Sequence, residues 1–286
     1  MDSVVDFKNL NKPYFIGEIG INHNGSLQIA KKLIDAVSAC NWDCAKFQKR
    51  DPDICVPEHQ KLKLRSTPWG EMSYIDYKHR VEFGKTKYDL IDEYCNQKPI
   101  DWTASVWDLE SLKFLNDYDV PFIKIPSAMM TNDELLIETA KCDKTILMST
   151  GMSNLSEVDH AVNLVLKHNN DLVLMHTNSS YPTPIDELNL SMIPFLKERY
   201  GCVVGYSGHE QDLEPTVIAA AMGATVIERH ITISHNMWGT DQKSSLEVHA
   251  MDMLRKRTRN VSRMLGVPNK VVTDSEVKIR KKLRGG

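Results

Sequence analysis

Eight short apolar runs punctuate the chain, each closing on polar side chains and most followed by a segment of helical spacing. The runs are "YFIGEIGI" from Tyr14, "CAKFQ" from Cys44, "DWTASVW" from Asp101 and "FIKIPS" from Phe122. They continue with "TILMST" from Thr145, "LVLMHT" from Leu172, "VVGYSG" from Val203 and "ATVIERHIT" from Ala224. Between them, "SLQIAKKLIDAVSAC" and "SNLSEVDHAVNLVLKH" place apolar residues at i, i+3, i+4 and i+7, the spacing of an amphipathic helix. Ser153 or Asn154 is a suitable N-cap for the second. The alternation predicts an α/β fold on parallel strands, and eight such units fit a (β/α)8 TIM barrel of about 250 residues. An open doubly wound sheet is the alternative. No GxGxxG follows the first run, which weakens a dinucleotide-binding reading.

Residues 1–286 are expected to form one barrel domain, without repeat or linker. One stretch breaks the pattern: Asp51 to Arg80 is too long for an ordinary βα loop, and such loops tend to be lids or binding loops. A surface excursion packed on the barrel or a neighbouring subunit is the other expectation. The basic tail, Lys278 to Gly286, reads as a solvated end, with an interaction tail as the lesser alternative.

Composition narrows the classes. A formal net charge of −3 with 26% charged residues gives no electrostatic case for nucleic acid or membrane as partner. No apolar run reaches the roughly 18 residues of a membrane span, and no signal peptide is evident. The six cysteines form no CxxC pair, so reduced thiols in a cytoplasmic protein are expected. "CNWDC", Cys40 to Cys44, is better explained by a helix end and a strand start than by a metal pair.

The polar strand ends carry the chemistry. Glu18 closes the first run, Lys46 and Gln48 the second, Ser105 the third, Lys124 and Ser127 the fourth, and Ser149 the fifth. His176 and Thr177 close the sixth, Ser207 and His209 the seventh, Glu228 and His230 the eighth. In a barrel these converge on one rim, the catalytic face. Two lysines with several hydroxyls suit a small phosphate- or carboxylate-bearing substrate. His209 and His230, on neighbouring strands, suit one divalent ion acting as Lewis acid on a carbonyl. The remaining histidines, His23 among them, read as packing or surface residues, with His176 left open between a supporting and a structural role.

At these strand ends the sequence resembles the sialic acid synthase family. The likeness rests on "GEIGINHNG", "AKFQ", "KIPS", "MSTGMS", "SSYPTP", "GYSGH", "IERHIT" and "TDQKSSLE", in that order from about Tyr14 to Gly266. It implies a manganese-dependent condensation of phosphoenolpyruvate with N-acetylmannosamine or a related amino-sugar aldehyde. His209 and His230 would hold the metal, with Glu18 beside it and its water. Lys46, Ser105, Lys124, Ser127, Ser149, Thr177, Ser179 and Ser207 would line the phosphoenolpyruvate pocket. Gln48, Tyr181 and Asp241 would face the sugar, Asp241 also counting among the catalytic groups. Asn22 to Gly25 would form the turn behind the floor.

Two departures from the resemblance matter. Where the family commonly has a sugar-contacting glutamate after strand four, this chain has Met129. Family members usually add a C-terminal antifreeze-like domain that reaches a partner's site with an arginine, so the expectation here is a barrel without it and a homo-oligomer formed, if at all, in another way. Arg65 and Arg80 of the long loop are candidates to compensate. Rival readings are a 3-deoxy-ulosonate synthase acting on an aldose phosphate, which would need further cationic anchors, and a non-catalytic barrel serving as a binding or regulatory subunit.

Overall fold

Residues 5–285 are described by the computed structural model, so Gly286 of the basic tail lies outside them. The apolar runs become eight parallel strands: β1 Tyr14–Gly20, β2 Cys44–Lys49, β3 Asp101–Val106, β4 Phe122–Ile125, β5 Thr145–Ser149, β6 Leu172–Thr177, β7 Val203–Gly208 and β8 Val226–Thr232. Each pairs with the next, and β1 pairs with β8 through Tyr14–Val226 to Glu18–His230, so the sheet closes into a (β/α)8 TIM barrel.

The two-residue period of a strand explains how one chain builds both a core and a site. Tyr14, Ile16, Cys44, Phe122, Leu147, Val173, Met175 and Val226 form one buried cluster with Phe7. Phe7, Tyr14 and Phe122 meet edge to face, with centroids 5.2–6.2 Å apart. Two residues further along the same strand faces come Glu18, Lys46, Lys124, Ser149, Thr177 and Glu228. The opposite faces, with Phe15, Ile19, Ala45, Phe47, Ile123 and Ile227, pack under the helices in the largest cluster. Burying each large side chain contributes about 1.5–3 kcal/mol, and this apolar plug supports a polar layer that could not fold the barrel alone.

Helix boundaries follow their caps. Ser26 accepts from the Ile29 amide to start the helix Leu27–Ala39. Asn154 rather than Ser153 caps Leu155–Leu166, in a reciprocal capping box with Glu157. Cys40 ends the first helix and Cys44 begins β2, as the sequence suggested, and all six cysteines are free.

The long insert is mostly regular structure. Short helices Pro52–Cys55 and Glu58–Lys61 lead to an antiparallel hairpin, Leu64–Thr67 with Gly70–Ser73, and then the helix Tyr74–Val81. It folds onto the C-terminal rim: Tyr77 and Val81 are buried with Ile21, and Tyr77 and Trp69 both pack edge-on against Trp238, which follows β8. No described helix is long and apolar enough to cross a membrane. The helix Asp274–Arg284, which carries most of the basic tail, has no buried residue.

Candidate active site

A cavity of about 200 Å³ opens at the C-terminal end of the barrel. Its floor is a charged square. Lys46 Nζ lies 2.6 Å from Glu18 Oε2 and 3.5 Å from Glu228 Oε1, with all three side chains almost fully buried. Gln48 donates to Glu18 Oε1 at 3.0 Å, and Ser207 to Glu228 Oε1 at 3.1 Å. Strand register places Glu18 opposite both Lys46 and His230, so the cluster follows from backbone pairing. Burial by itself would lower the Lys46 pKa, yet Glu18 and Glu228 outweigh it and hold it above the ordinary lysine value. Burial would likewise raise Glu228, but Lys46 and Lys124 keep it below the usual carboxylate value. Gly20, at φ +52°, lets the strand turn here; a Cβ would come within 3.1 Å of Gln48 Nε2 and 3.2 Å of Glu18 Oε1.

The next wall is a donor cradle. Lys124 Nζ donates to Ser149 Oγ at 2.5 Å and to the Ile125 carbonyl at 3.1 Å. Burial pulls its pKa down to about 8, despite Glu228 nearby. Beside it the Gly151 amide donates to Ser127 Oγ at 3.1 Å. A Cβ on Gly151 would stand 2.3 Å from Ser179 Oγ and 2.7 Å from Ser127 Oγ, so three small polar groups converge where only glycine fits. Ser105, Thr177, Ser179 and Ser207 line the same cavity, and Trp107 Nε1 donates to Ser105 Oγ at 3.2 Å.

The histidines occupy the third side, their ring centroids 5.4 Å apart. His209 Nδ1 lies 2.6 Å from the Asn178 carbonyl, which can only accept, so Nδ1 carries the proton and Nε2 a lone pair. The Tyr181 hydroxyl donates to that Nε2 at 2.9 Å. Burial, with His230 adding to it, drives the His209 pKa down to about 3, so the ring is neutral. His230 Nδ1 and Glu228 Oε2 are buried without hydrogen-bond partners. On the far faces of the same strands, Arg229 is fully buried and bonds Glu210 at 2.9 Å and Thr216 at 2.8 Å, pinning the turn that carries His209.

Of the residues assigned from sequence to the metal, the phosphoenolpyruvate pocket or the sugar, every one except Asp241 lines the cavity. Asp241 sits beyond the rim: its side chain accepts from Thr240 at 2.6 Å, and its carbonyl from Ser245 at 2.7 Å. It precedes a 3-10 turn, Gln242–Ser244, without capping it through its side chain; burial first, and then the Asp241 charge, push Tyr181 and Tyr77 up. Met129 is half-buried against the apolar clusters, not in the cavity wall. His176 donates to or accepts from no cavity group; its Nε2 bonds the Leu188 carbonyl at 2.8 Å. His23 is stacked on Phe83, 3.9 Å between centroids, away from the cavity. Asn22 and Asn24 bind the Ile231 and Trp238 carbonyls, so the first loop is the turn behind the floor.

Residues not nominated from sequence also matter. Glu228 was visible as a polar strand end, while the Gly151 amide and the Asn178 carbonyl are backbone groups that residue identity does not advertise.

A profile of the NeuB family matches residues 33–270. The chain belongs to the NeuB family. Among curated NeuB relatives, the N,N'-diacetyllegionaminic acid synthase of Campylobacter jejuni is 34% identical over 94% of this chain and 82% of its own. Human N-acetylneuraminate-9-phosphate synthase is 32% identical, over 94% and 76% respectively. Among solved structures, the N-acetylneuraminic acid synthetase of Leptospira borgpetersenii superposes with a TM-score of 0.85 at 29% identity, covering 96% of this chain and 94% of that one. This NeuB-family barrel is thus related throughout its length to synthases of nonulosonic acids.

Proposed function

We propose that this protein condenses phosphoenolpyruvate with N-acetylmannosamine or a related amino-sugar aldehyde to give a nonulosonic acid, releasing phosphate. The observation that carries the reading is one cavity pairing an anion cradle, Lys124 with Ser149, Ser127 and the Gly151 amide, with the imidazoles of His209 and His230. The curated relatives are synthases of this product class.

On this reading the phosphate and carboxylate of phosphoenolpyruvate lie against Lys46, Lys124, Ser105, Ser127, Ser149, Thr177, Ser179 and Ser207. C3 of the enol attacks the aldehyde carbon, forming the C–C bond as the aldehyde oxygen takes up a proton. Water adds at C2, and breaking the C2–O bond releases phosphate and leaves a 2-keto acid. Glu18, held by Lys46 and Gln48, is placed to order that water. Gln48 and Tyr181 hold sugar hydroxyls, and Asp241 reaches them from outside the cavity wall. Preorganised donors act where charge develops, which is where they lower a barrier most.

The donor set fits a divalent ion. The Nε2 lone pair of His209, which a metal would take over from the Tyr181 hydroxyl, lies with the unpartnered His230 Nδ1 and Glu228 Oε2 on one side of the cavity, and the Asn178 carbonyl behind His209 is the supporting contact that metal-binding imidazoles use. Among the described residues no cluster of three or more His, Cys, Asp or Glu side chains forms a ready-made site, so solvent and substrate oxygens would complete the shell. Bound there, Mn²⁺ would polarise the aldehyde carbonyl. The square of two carboxylates and two ammoniums is formally neutral, so a divalent charge also offsets the incoming anion.

The substrates on this reading are small molecules, and the setting cytoplasmic, in keeping with six free thiols. The test is phosphate release from phosphoenolpyruvate with Mn²⁺, with and without N-acetylmannosamine, in the wild type and His209→Ala. Release needing both sugar and His209 supports the reading. No release with any amino-sugar aldehyde, despite bound phosphoenolpyruvate, sinks it.

A further inference from the structure

At the start of the insert and within it lie two buried cations that make no ion pair among the described residues. Arg50 and Lys78 are each 8% exposed, and neither forms an ion pair with any described residue. Arg50 Nε and the hydroxyl of Tyr77, itself 1% exposed, are buried without hydrogen-bond partners. Lys78 makes no side-chain hydrogen bond; its ammonium lies 5.1 Å from the Tyr74 centroid and 5.4 Å from that of Tyr77. Arg50 stacks on Trp107 at 4.4 Å. Such aromatic contacts are weaker than the cost of taking an ion out of water.

The carboxylates facing Lys78 are Asp241 and Glu82, and Arg50 and Arg65 oppose them. Glu82 is engaged by Lys49 at 2.8 Å and by the Arg50 amide, and Asp241 by Thr240. Burial first, and then Arg50, pulls Lys78 down to about 8, the condition of a cation awaiting a counter-charge.

The cluster adjoins the catalytic cavity. Arg50 donates to Gln48 Oε1 and covers Trp107, and both partners line that cavity. Gln48 faces the sugar on the condensation reading, so the cluster lies on that side of the site.

We propose that Arg50, Lys78 and Tyr77 form an anion subsite that binds the phosphate of a phosphorylated sugar acceptor, at the end remote from its aldehyde. The inference rests on the condensation reading and specifies its acceptor class. A guanidinium, an ammonium and a phenol, not coplanar with one another, match the several oxygens of a phosphate better than a flat carboxylate. Without the insert this subsite has neither its lysine nor its phenol.

The experiment compares kcat/KM for N-acetylmannosamine and its 6-phosphate, with phosphoenolpyruvate and Mn²⁺, in the wild type, Lys78→Gln and Lys78→Arg. Calorimetric titration of the 6-phosphate runs alongside, without phosphoenolpyruvate. The wild type should favour the 6-phosphate at least about tenfold; Lys78→Gln should erase that preference and Lys78→Arg restore part of it, as expected for a buried charge contact. Equal use of both sugars, or a Lys78→Gln loss shared equally between them, overturns the subsite. If neither sugar releases phosphate, the condensation reading fails and calorimetry decides: 6-phosphate binding that weakens about tenfold or more in Lys78→Gln upholds the subsite, and no binding to the wild type overturns it.

Discussion

The Asn178 carbonyl fixes the tautomer of His209 by accepting its Nδ1 proton at 2.6 Å, leaving the Nε2 lone pair to accept from the Tyr181 hydroxyl at 2.9 Å. A metal and the Tyr181 hydroxyl therefore compete for one lone pair. His209→Ala should weaken Mn²⁺ binding, followed by electron paramagnetic resonance, by at least about tenfold. Tyr181→Phe should leave that affinity equal or higher while raising the sugar KM. A parallel loss of metal in both variants would refute the competition.

Lys124 carries its positive charge below about pH 8 and loses it above. Since that charge faces the anionic substrate, kcat/KM for phosphoenolpyruvate should fall as pH rises through 8. In Lys124→Arg, whose guanidinium stays charged, this limb should disappear over pH 7–9.5. Persistence of the limb in that variant would assign it to another group.

Gly151→Ala forces a methyl to within 2.3 Å of Ser179 Oγ. One of the cradle hydroxyls must move, and losing a hydrogen bond to an ionised group costs about 1.5–3 kcal/mol. The KM for phosphoenolpyruvate should therefore rise roughly tenfold to a hundredfold, with Mn²⁺ affinity unchanged. Steady-state kinetics and the same metal titration check both halves.

His23 and His209 are held neutral by burial, each with its pKa lowered to about 3 from 6.5. Between pH 3 and 6.5 the unfolded chain binds more protons than the native one, so stability rises with pH across that window and falls on acidification. Urea midpoints should drop from pH 6.5 towards 4, and His23→Gln should flatten the slope. An unchanged slope would show that other groups dominate.

Much of this was legible in the chain. β6 coincides with the run read from Leu172 to Thr177, because an inward apolar layer and a polar end repeat at every strand with period two. The strand-end cavity residues were readable for the same reason, whereas Ser179 and Tyr181 came from the family resemblance alone. The ordered architecture of the insert was not, since its helices of four residues and its four-residue strands are too short to display a period and are held by Tyr77 and Trp238 across the rim. The place of Asp241 outside the cavity wall was not legible, because the sequence does not say which way a turn presents its side chain. Lys78 was invisible as a binding candidate: an exposed helical lysine and a buried one look alike until the helix is docked.

The turn after β1 has a consequence for how the protein comes into being. Asn22 bonds the Ile231 carbonyl at 2.9 Å and Ser245 Oγ at 2.8 Å, partners more than two hundred positions downstream. Such distant closures are slow and come late. On the ribosome, the first catalytic strand must wait, unlatched, until the last barrel strand and the turn after it have emerged, so the enzyme's chemistry switches on only after that point of its own synthesis.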